Sequence, residues 1–261
     1  MIVLSLTGKR AVVTGGSKGL GRSIALALAE VGADVAISAR HLPELEVVAA
    51  EIEGLGRRCL INRCDVTDRA QIREMAETVL AEFGGVDILV NNAGLAKSHK
   101  FLDHPDALWE QILAVNLTGV YLVTKAFAPG MVAQKWGRII NMASIAAKVG
   151  ERYIAAYVAS KHGLLGLTRS LALEFVADNI TVNAICPGYV DTPMTEGNVA
   201  NISQRTGMPE EKARAILENF SPQKRLIQPE EVAAVALLLA QENGRGITGQ
   251  AINVDGGAVM F

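Results

Sequence analysis

Ala11-Val12-Val13-Thr14-Gly15-Gly16-Ser17-Lys18-Gly19-Leu20-Gly21 is the stretch from which the fold can be read. A short β-branched run enters a turn dense in glycine, and Ile24, Leu28 and Val31 then recur at the spacing of a buried helical stripe. Strand, turn and helix form one unit. Glycines after a first strand let the backbone reverse sharply and let a pyrophosphate approach the helix N-terminus, where free N–H groups and the dipole favour anions. The spacing is Gly-x-x-x-Gly-x-Gly and not Gly-x-Gly-x-x-Gly. Such a turn alone also suits an ordinary loop; its place after the first strand favours the phosphate reading.

Working outward, further apolar runs at 34–39, 58–64, 87–91, 138–142, 181–185 and 251–254 read as strands, and helical patterns separate most of them. That alternation calls for a parallel sheet covered on both faces. The expected fold is therefore α/β: a single doubly wound Rossmann domain over residues 1–261, with a seven-stranded parallel sheet and helices on both faces. Only residues 189–228 break the rhythm. With turn residues Pro193, Gly197, Gly207 and Pro222, this segment is too long for an ordinary connection and reads as a substrate lid. Within it, Pro209-Glu210-Glu211 resembles the first turn of a helix whose apolar face would be Ala213, Ile216, Leu217 and Phe220.

Tyr157 and Lys161 stand four residues apart and so share a helical face. At about 5 Å and an effective dielectric of ~20, the ammonium would stabilise the phenolate by roughly 3 kcal/mol, moving the phenol from ~10 toward ~8. The phenol becomes a usable acid. Ser144 ends an apolar strand and could donate to a carbonyl oxygen. Asn91-Asn92-Ala93-Gly94 closes another strand with small residues that permit close backbone approach. At the end of the second strand, where an acid would hold an adenosine ribose 2′-hydroxyl, the chain has Ala39 and Arg40. Arg40 and Lys18 suit a 2′-phosphate instead, which favours NADP(H).

Composition removes other classes. A net charge of −2 without basic runs argues against nucleic acid or an anionic membrane as partner and for a small molecule. Residues 1–6 lack the basic start and apolar length of an export signal, and the longest apolar run, 232–240, is about half a membrane span. Cys59, Cys64 and Cys186 are odd in number and lack zinc spacing, which fits inert thiols in a reducing cytoplasm. His41, His99, His104 and His162 show no metal spacing, so no metal is expected. Ser144 lies between Ala143 and Ile145, not in the elbow a Ser-His-Asp hydrolase needs.

Together these residues resemble the short-chain dehydrogenase/reductase family over essentially the whole chain. The motifs are Thr14-Gly15 through Gly19 and Gly21, Asp65-Val66, Asn91-Asn92-Ala93-Gly94, Asn116, Ser144, Tyr157 with Lys161, and Pro187-Gly188 with Thr192. The resemblance implies that Asp65 and Val66 contact adenine, Asn92 and Ala93 the adenosine side, and Val190 with Thr192 the nicotinamide amide. It implies hydride transfer in which Tyr157 protonates a carbonyl oxygen and Ser144 orients it. Lys161 would bind ribose hydroxyls and lower the Tyr157 pKa, while Asn116, on a distorted helix, would hold a relay water. A homotetramer is also implied.

Within the family the chain is most similar to bacterial 3-ketoacyl thioester reductases and polyketide ketoreductases, including its Asp255-Gly256-Gly257. Carrier-protein reductases of that group are expected to show a basic pair near the active-site entrance. This chain has Lys135 but Asp178 there, which turns the expectation toward a CoA thioester or free ketone. The reading is thus an NADP(H)-dependent reductase of a ketone or acyl thioester. Beside it stand an NAD-dependent secondary alcohol dehydrogenase and a non-catalytic NADP(H) sensor.

Overall fold

The structure, a computed structural model, describes residues 5–261, so the first four residues of the stretch read for export lie outside the described residues. The seven strands are β1 (Arg10–Thr14), β2 (Asp34–Ala39), β3 (Cys59–Arg63), β4 (Ile88–Asn91), β5 (Gly137–Met142), β6 (Ile180–Pro187) and β7 (Ala251–Val254). They pair in parallel in the order β3-β2-β1-β4-β5-β6-β7. The expected single doubly wound domain is what the chain forms. From β1 the order runs outward to β3, then reverses to β4 on the other side. A crevice opens at such a reversal, beyond the carboxyl ends of the strands.

Helices α1 (Gly19–Glu30), α2 (Leu42–Gly54), α3 (Arg69–Phe83), α4 (Asp106–Leu113), α5 (Gly119–Gln134), α6 (Ala155–Phe175), α7 (Pro193–Thr206), α8 (Glu210–Glu218) and α9 (Pro229–Ala240) complete the chain. Strand β1 shows how alternation feeds two cores. Ala11 and Val13 join Ile24 and Leu28 of α1 and Val232 and Leu239 of α9 on one face, while Val12 joins Ile72, Val79, Phe127 and Met131 of α3 and α5 on the other. Apart from Ala11, each of these buried side chains contributes about 1.5–3 kcal/mol, and Leu28→Ala would cost about 2–5 kcal/mol.

Two expectations need correction. The segment read as a lid, residues 189–228, holds two α-helices and not one. Pro193 sits in the first turn of α7, where its missing N–H costs nothing, and Gly197 lies inside that helix, tolerated at about 1 kcal/mol. Gly207, with φ of 73°, does end α7 as a left-handed cap. In α8, Ala213 and Leu217 are buried, but Ile216, and Phe220 just past its end, are 47% and 48% exposed, so the apolar face is narrower than expected. The second correction concerns spans. Asp106–Gln134 forms one continuous helical stretch long and apolar enough to cross a membrane. It packs against α3, β4 and β5 and forms a wall of the domain.

Candidate active site

Two clefts meet at the carboxyl ends of the strands. The first, of about 340 Å³, runs from Arg40 and Asp65 past the glycine turn to Lys161 and Thr192. The second, of about 300 Å³, extends from Ser144 beneath α7 to Leu217 of α8. Leu20, Ala143, Tyr157, Thr192 and Met194 line both. Tyr157 therefore stands where the two spaces join.

The turn after β1 is built so that backbone can replace side chain. Gly19, the first residue of α1, has φ of 54°, a left-handed value that disfavours any residue with a Cβ. A Cβ on Gly21 would lie 2.1 Å from the Gly15 carbonyl oxygen and 2.4 Å from Asn92 Nδ2, so nothing larger than glycine fits. Asn92 braces this turn: its Nδ2 donates to the Thr14 and Gly15 carbonyls at 3.0 Å each, and Thr14 Oγ1 accepts from the Asn92 and Ala93 N–H groups. The Asn92 side chain is thus spent on shaping the cleft. Helix α1 has no side-chain cap and no acid in its first turn, which leaves its N–H groups to an anion.

Gly15, Ser17, Lys18, Gly19, Leu20, Arg40, Asp65, Val66, Asn92, Ala93 and Gly94 all line this cleft, as a dinucleotide site requires. The residues present fit a nicotinamide dinucleotide. One member was missed. Glu44, in the first turn of α2, accepts from Ser17 Oγ at 2.9 Å and lies 3.3 Å from Lys18 Nζ, and the Ser17 bond holds its carboxyl below the usual range. An acid one turn beyond the end of β2 was the signal available, since helix dipoles favour acids there.

Ser144, in extended conformation after β5, caps a short 3₁₀ turn by accepting from the Ala146 N–H at 3.1 Å. Tyr157 and Lys161 share one face of α6, with the ammonium 5.6 Å from the phenol ring centroid. The downward shift expected for the phenol does not occur. Desolvation pushes Tyr157 up to about 12, with Ser144 pulling the other way and Glu151 adding to the rise. Burial strips water from the phenolate and so favours the neutral phenol. Lys161, only 4% exposed, is drawn down to about 8 by burial, and its Nζ donates to the Met142 carbonyl at 2.6 Å.

Asn116 does lie on a distorted helix, in a π turn over Ala114–Thr118. Its side chain, however, is fully employed: Nδ2 donates to the Leu95 carbonyl and Ser160 Oγ, and Oδ1 accepts from the Leu95 N–H. It clamps the loop after β4. Neither Asn116 nor Gly21 lines either cleft; both shape the walls from behind.

Pro187, which ends β6, and Gly188, Val190 and Thr192 beyond it line the second cleft. There Tyr189 donates to Glu151 Oε1 at 2.9 Å and meets the edge of Phe220 at 5.5 Å between centroids. Asn201 of α7 donates from Nδ2 to Ser98 Oγ of the loop after β4 at 3.1 Å, which ties α7 to that loop across the second cleft. Lys135 and Asp178 pair with each other at the starts of β5 and β6. That is the opposite end of these strands, about 20 Å of strand from Ser144, and not the cleft entrance. Burial pushes Cys59 up to about 12 and Cys64 to about 11, so both stay thiols.

A family model described as enoyl-(acyl carrier protein) reductase matches residues 15–259. The chain is 39% identical over 252 residues to a D-beta-hydroxybutyrate dehydrogenase of Rhizobium meliloti, covering 95% of this chain and 98% of that protein. It is 37% identical over 257 residues to the 3-oxoacyl-(acyl-carrier-protein) reductase FabG of Thermotoga maritima, covering 98% and 100%. The crystal structure of an actinorhodin polyketide ketoreductase with NADPH superposes with a TM-score of 0.93 at 37% identity, over 97% of this chain and 98% of that one.

Proposed function

From the premise that the chain belongs to the short-chain dehydrogenase/reductase family, and so acts between alcohol and carbonyl, we propose that it is an NADP(H)-dependent reductase of ketones. The observation that carries this reading is the position of Tyr157, shared by both clefts, with Lys161 on its own helix face and Ser144 in the second cleft. A nicotinamide bound at that junction would supply the hydride. Gly15, Ser17, Gly19 and Gly94 would line the dinucleotide's path, and Lys161 would hold its ribose. Ser144 donates to the substrate oxygen, and Tyr157 gives it a proton.

A phenol at about 12 remains strong enough for that task. The forming alkoxide belongs to an acid with a pKa of ~16, close to that of water, so the transfer runs downhill by about 4 units. A raised phenol pKa keeps Tyr157 protonated at neutral pH, as a proton donor must be. Lys161 at about 8 stays cationic there.

Lys18 and Arg40, both lining the outer end of the first cleft, support NADP(H). Glu44 is the observation that favours a second reading, NAD-dependent oxidation of a secondary alcohol, because it can accept from a ribose 2′-hydroxyl. The relatives' names, a hydroxybutyrate dehydrogenase and an oxoacyl reductase, support a keto group on a short or thioester-linked acyl chain. Exposed Leu173, Val176 and Met260 support a homotetramer, and three unpaired cysteines a cytoplasmic one. A panel of ketones and acyl thioesters with NADPH or NADH, followed by loss of coenzyme absorbance, tests the reading. Faster turnover with NADH would favour the second reading, and no turnover at all would leave a cofactor sensor.

A further inference from the structure

Glu151 faces the second cleft, and nothing in the chemistry above uses it. It is the one acid among the described residues lining that space, whose walls are otherwise largely apolar: Ala96, Ile145, Ile154, Ile202 and Leu217. Its carboxylate is held in place from the far side. Oε1 accepts from the Tyr189 hydroxyl at 2.9 Å, and the Tyr189 ring is fixed by its edge contact with Phe220 at the end of α8. Oε2 takes no donor among the described residues, so one charged oxygen is left for whatever enters. Lys97 and Arg152 also line the cleft, but both are exposed at its rim and neither pairs with Glu151, so water screens them more than the half-buried carboxylate.

We propose that Glu151 selects substrates by charge: the cleft takes ketones that are neutral, or that carry a hydroxyl or amine donor, and rejects ketones that carry a carboxylate. The inference rests on reading this cleft as the ketone site. A donor beside the reacting carbonyl could bond to Oε2, while a second carboxylate would meet a like charge in the same cleft. At about 6 Å and an effective dielectric of ~20 to ~40, that repulsion disfavours the anion by about 10- to 100-fold. The same charge acts on Tyr157, whose phenol it helps keep protonated.

The test compares ethyl acetoacetate with acetoacetate, which differ chiefly in charge near the ketone. With the whole chain and saturating coenzyme, kcat/KM should favour the ester at least tenfold. Glu151→Gln retains an oxygen for the Tyr189 hydroxyl and should reduce that preference by about 10- to 100-fold, chiefly by raising activity on the acid. A merely structural role would scale both substrates alike. Tyr189→Phe, which breaks the hydrogen bond but keeps the charge, should leave the ratio within about twofold; Glu151→Ala supplies the same readout as Glu151→Gln if the latter fails to fold. Equal use of acid and ester by the wild type, or an unchanged ratio in Glu151→Gln, overturns the proposal. If neither compound is reduced, the ketone-site reading has failed, and calorimetric titration of the two compounds then decides the charge filter. Weaker binding of the acid, recovered in Glu151→Gln, supports it; equal binding overturns it.

Discussion

Replacing Glu44 with glutamine should strengthen recognition of a 2′-phosphate. Lys18 Nζ lies 3.3 Å from Glu44 Oε1, with the two side chains 61% and 40% exposed. Both are wet enough for the dielectric of water to apply, so the Coulomb term is about 1.3 kcal/mol and the net worth of the pair about 0.2–1 kcal/mol. A 2′-phosphate must take Lys18 and Ser17 from Glu44, and it must then tolerate that carboxylate at about 6 Å, which costs a further ~0.7 kcal/mol after screening. Removing the charge should therefore gain about 1 to 1.5 kcal/mol, or ~5- to 12-fold. Calorimetric titration with 2′,5′-ADP and 5′-ADP measures it directly: the first should tighten by that factor, the second change by less than about twofold, and the gain should shrink as salt rises. Equal changes for both fragments, or weaker binding of 2′,5′-ADP, would show that Glu44 positions Ser17 and Lys18 for either coenzyme. Arg40→Asp should act in the opposite sense, lowering 2′,5′-ADP affinity alone.

Three other outcomes follow from single contacts. Gly21→Ala forces a Cβ against the Gly15 carbonyl oxygen and should lower the melting temperature and abolish 5′-ADP binding, whereas Gly54→Ala, with nothing within 4 Å, should leave both intact. Leu217→Ala should shift kcat/KM between bulky and short ketones because Leu217 lines the second cleft, while Ile216→Ala, on the exposed side of α8, should not; equal effects would make α8 scaffold and not a lid. Burial lowers Lys161 to about 8 in the folded chain, against ~10.4 when unfolded. Between those values the unfolded chain holds the extra proton, so this residue's contribution to stability rises with pH across the window. Urea titrations from pH 7 to about 10 should show that rise in the wild type and its loss in Lys161→Met; identical slopes would contradict the burial argument.

Strand positions were legible because buried parallel strands demand continuous β-branched runs, and β1, β2 and β7 stand within a residue of where those runs begin and end. Helix α7 was not, since its sequence from Pro193 to Thr206 has few apolar residues, and its two buried residues, Thr195 and Val199, give no clear stripe. The residues of the tetrad were legible as types at a spacing, but their environments were not. Whether Tyr157 rises or falls depends on how much water the fold removes, and whether Asn116 is free depends on Leu95 and Ser160, which approach it only in three dimensions. Glu44 and Glu151 share that history. Each is one acid among many along the chain, and only its contacts with Ser17 and Tyr189 mark it out.

The central claim is that Tyr157 protonates the substrate oxygen. It is tested most directly by measuring kcat and NADPH affinity together in Tyr157→Phe. Loss of a positioned general acid should lower kcat by about 10²- to 10⁴-fold, while the dissociation constant for NADPH stays within about twofold, because the hydroxyl acts on the reacting oxygen and not on the dinucleotide. A near-normal kcat in Tyr157→Phe would remove the phenol from the mechanism.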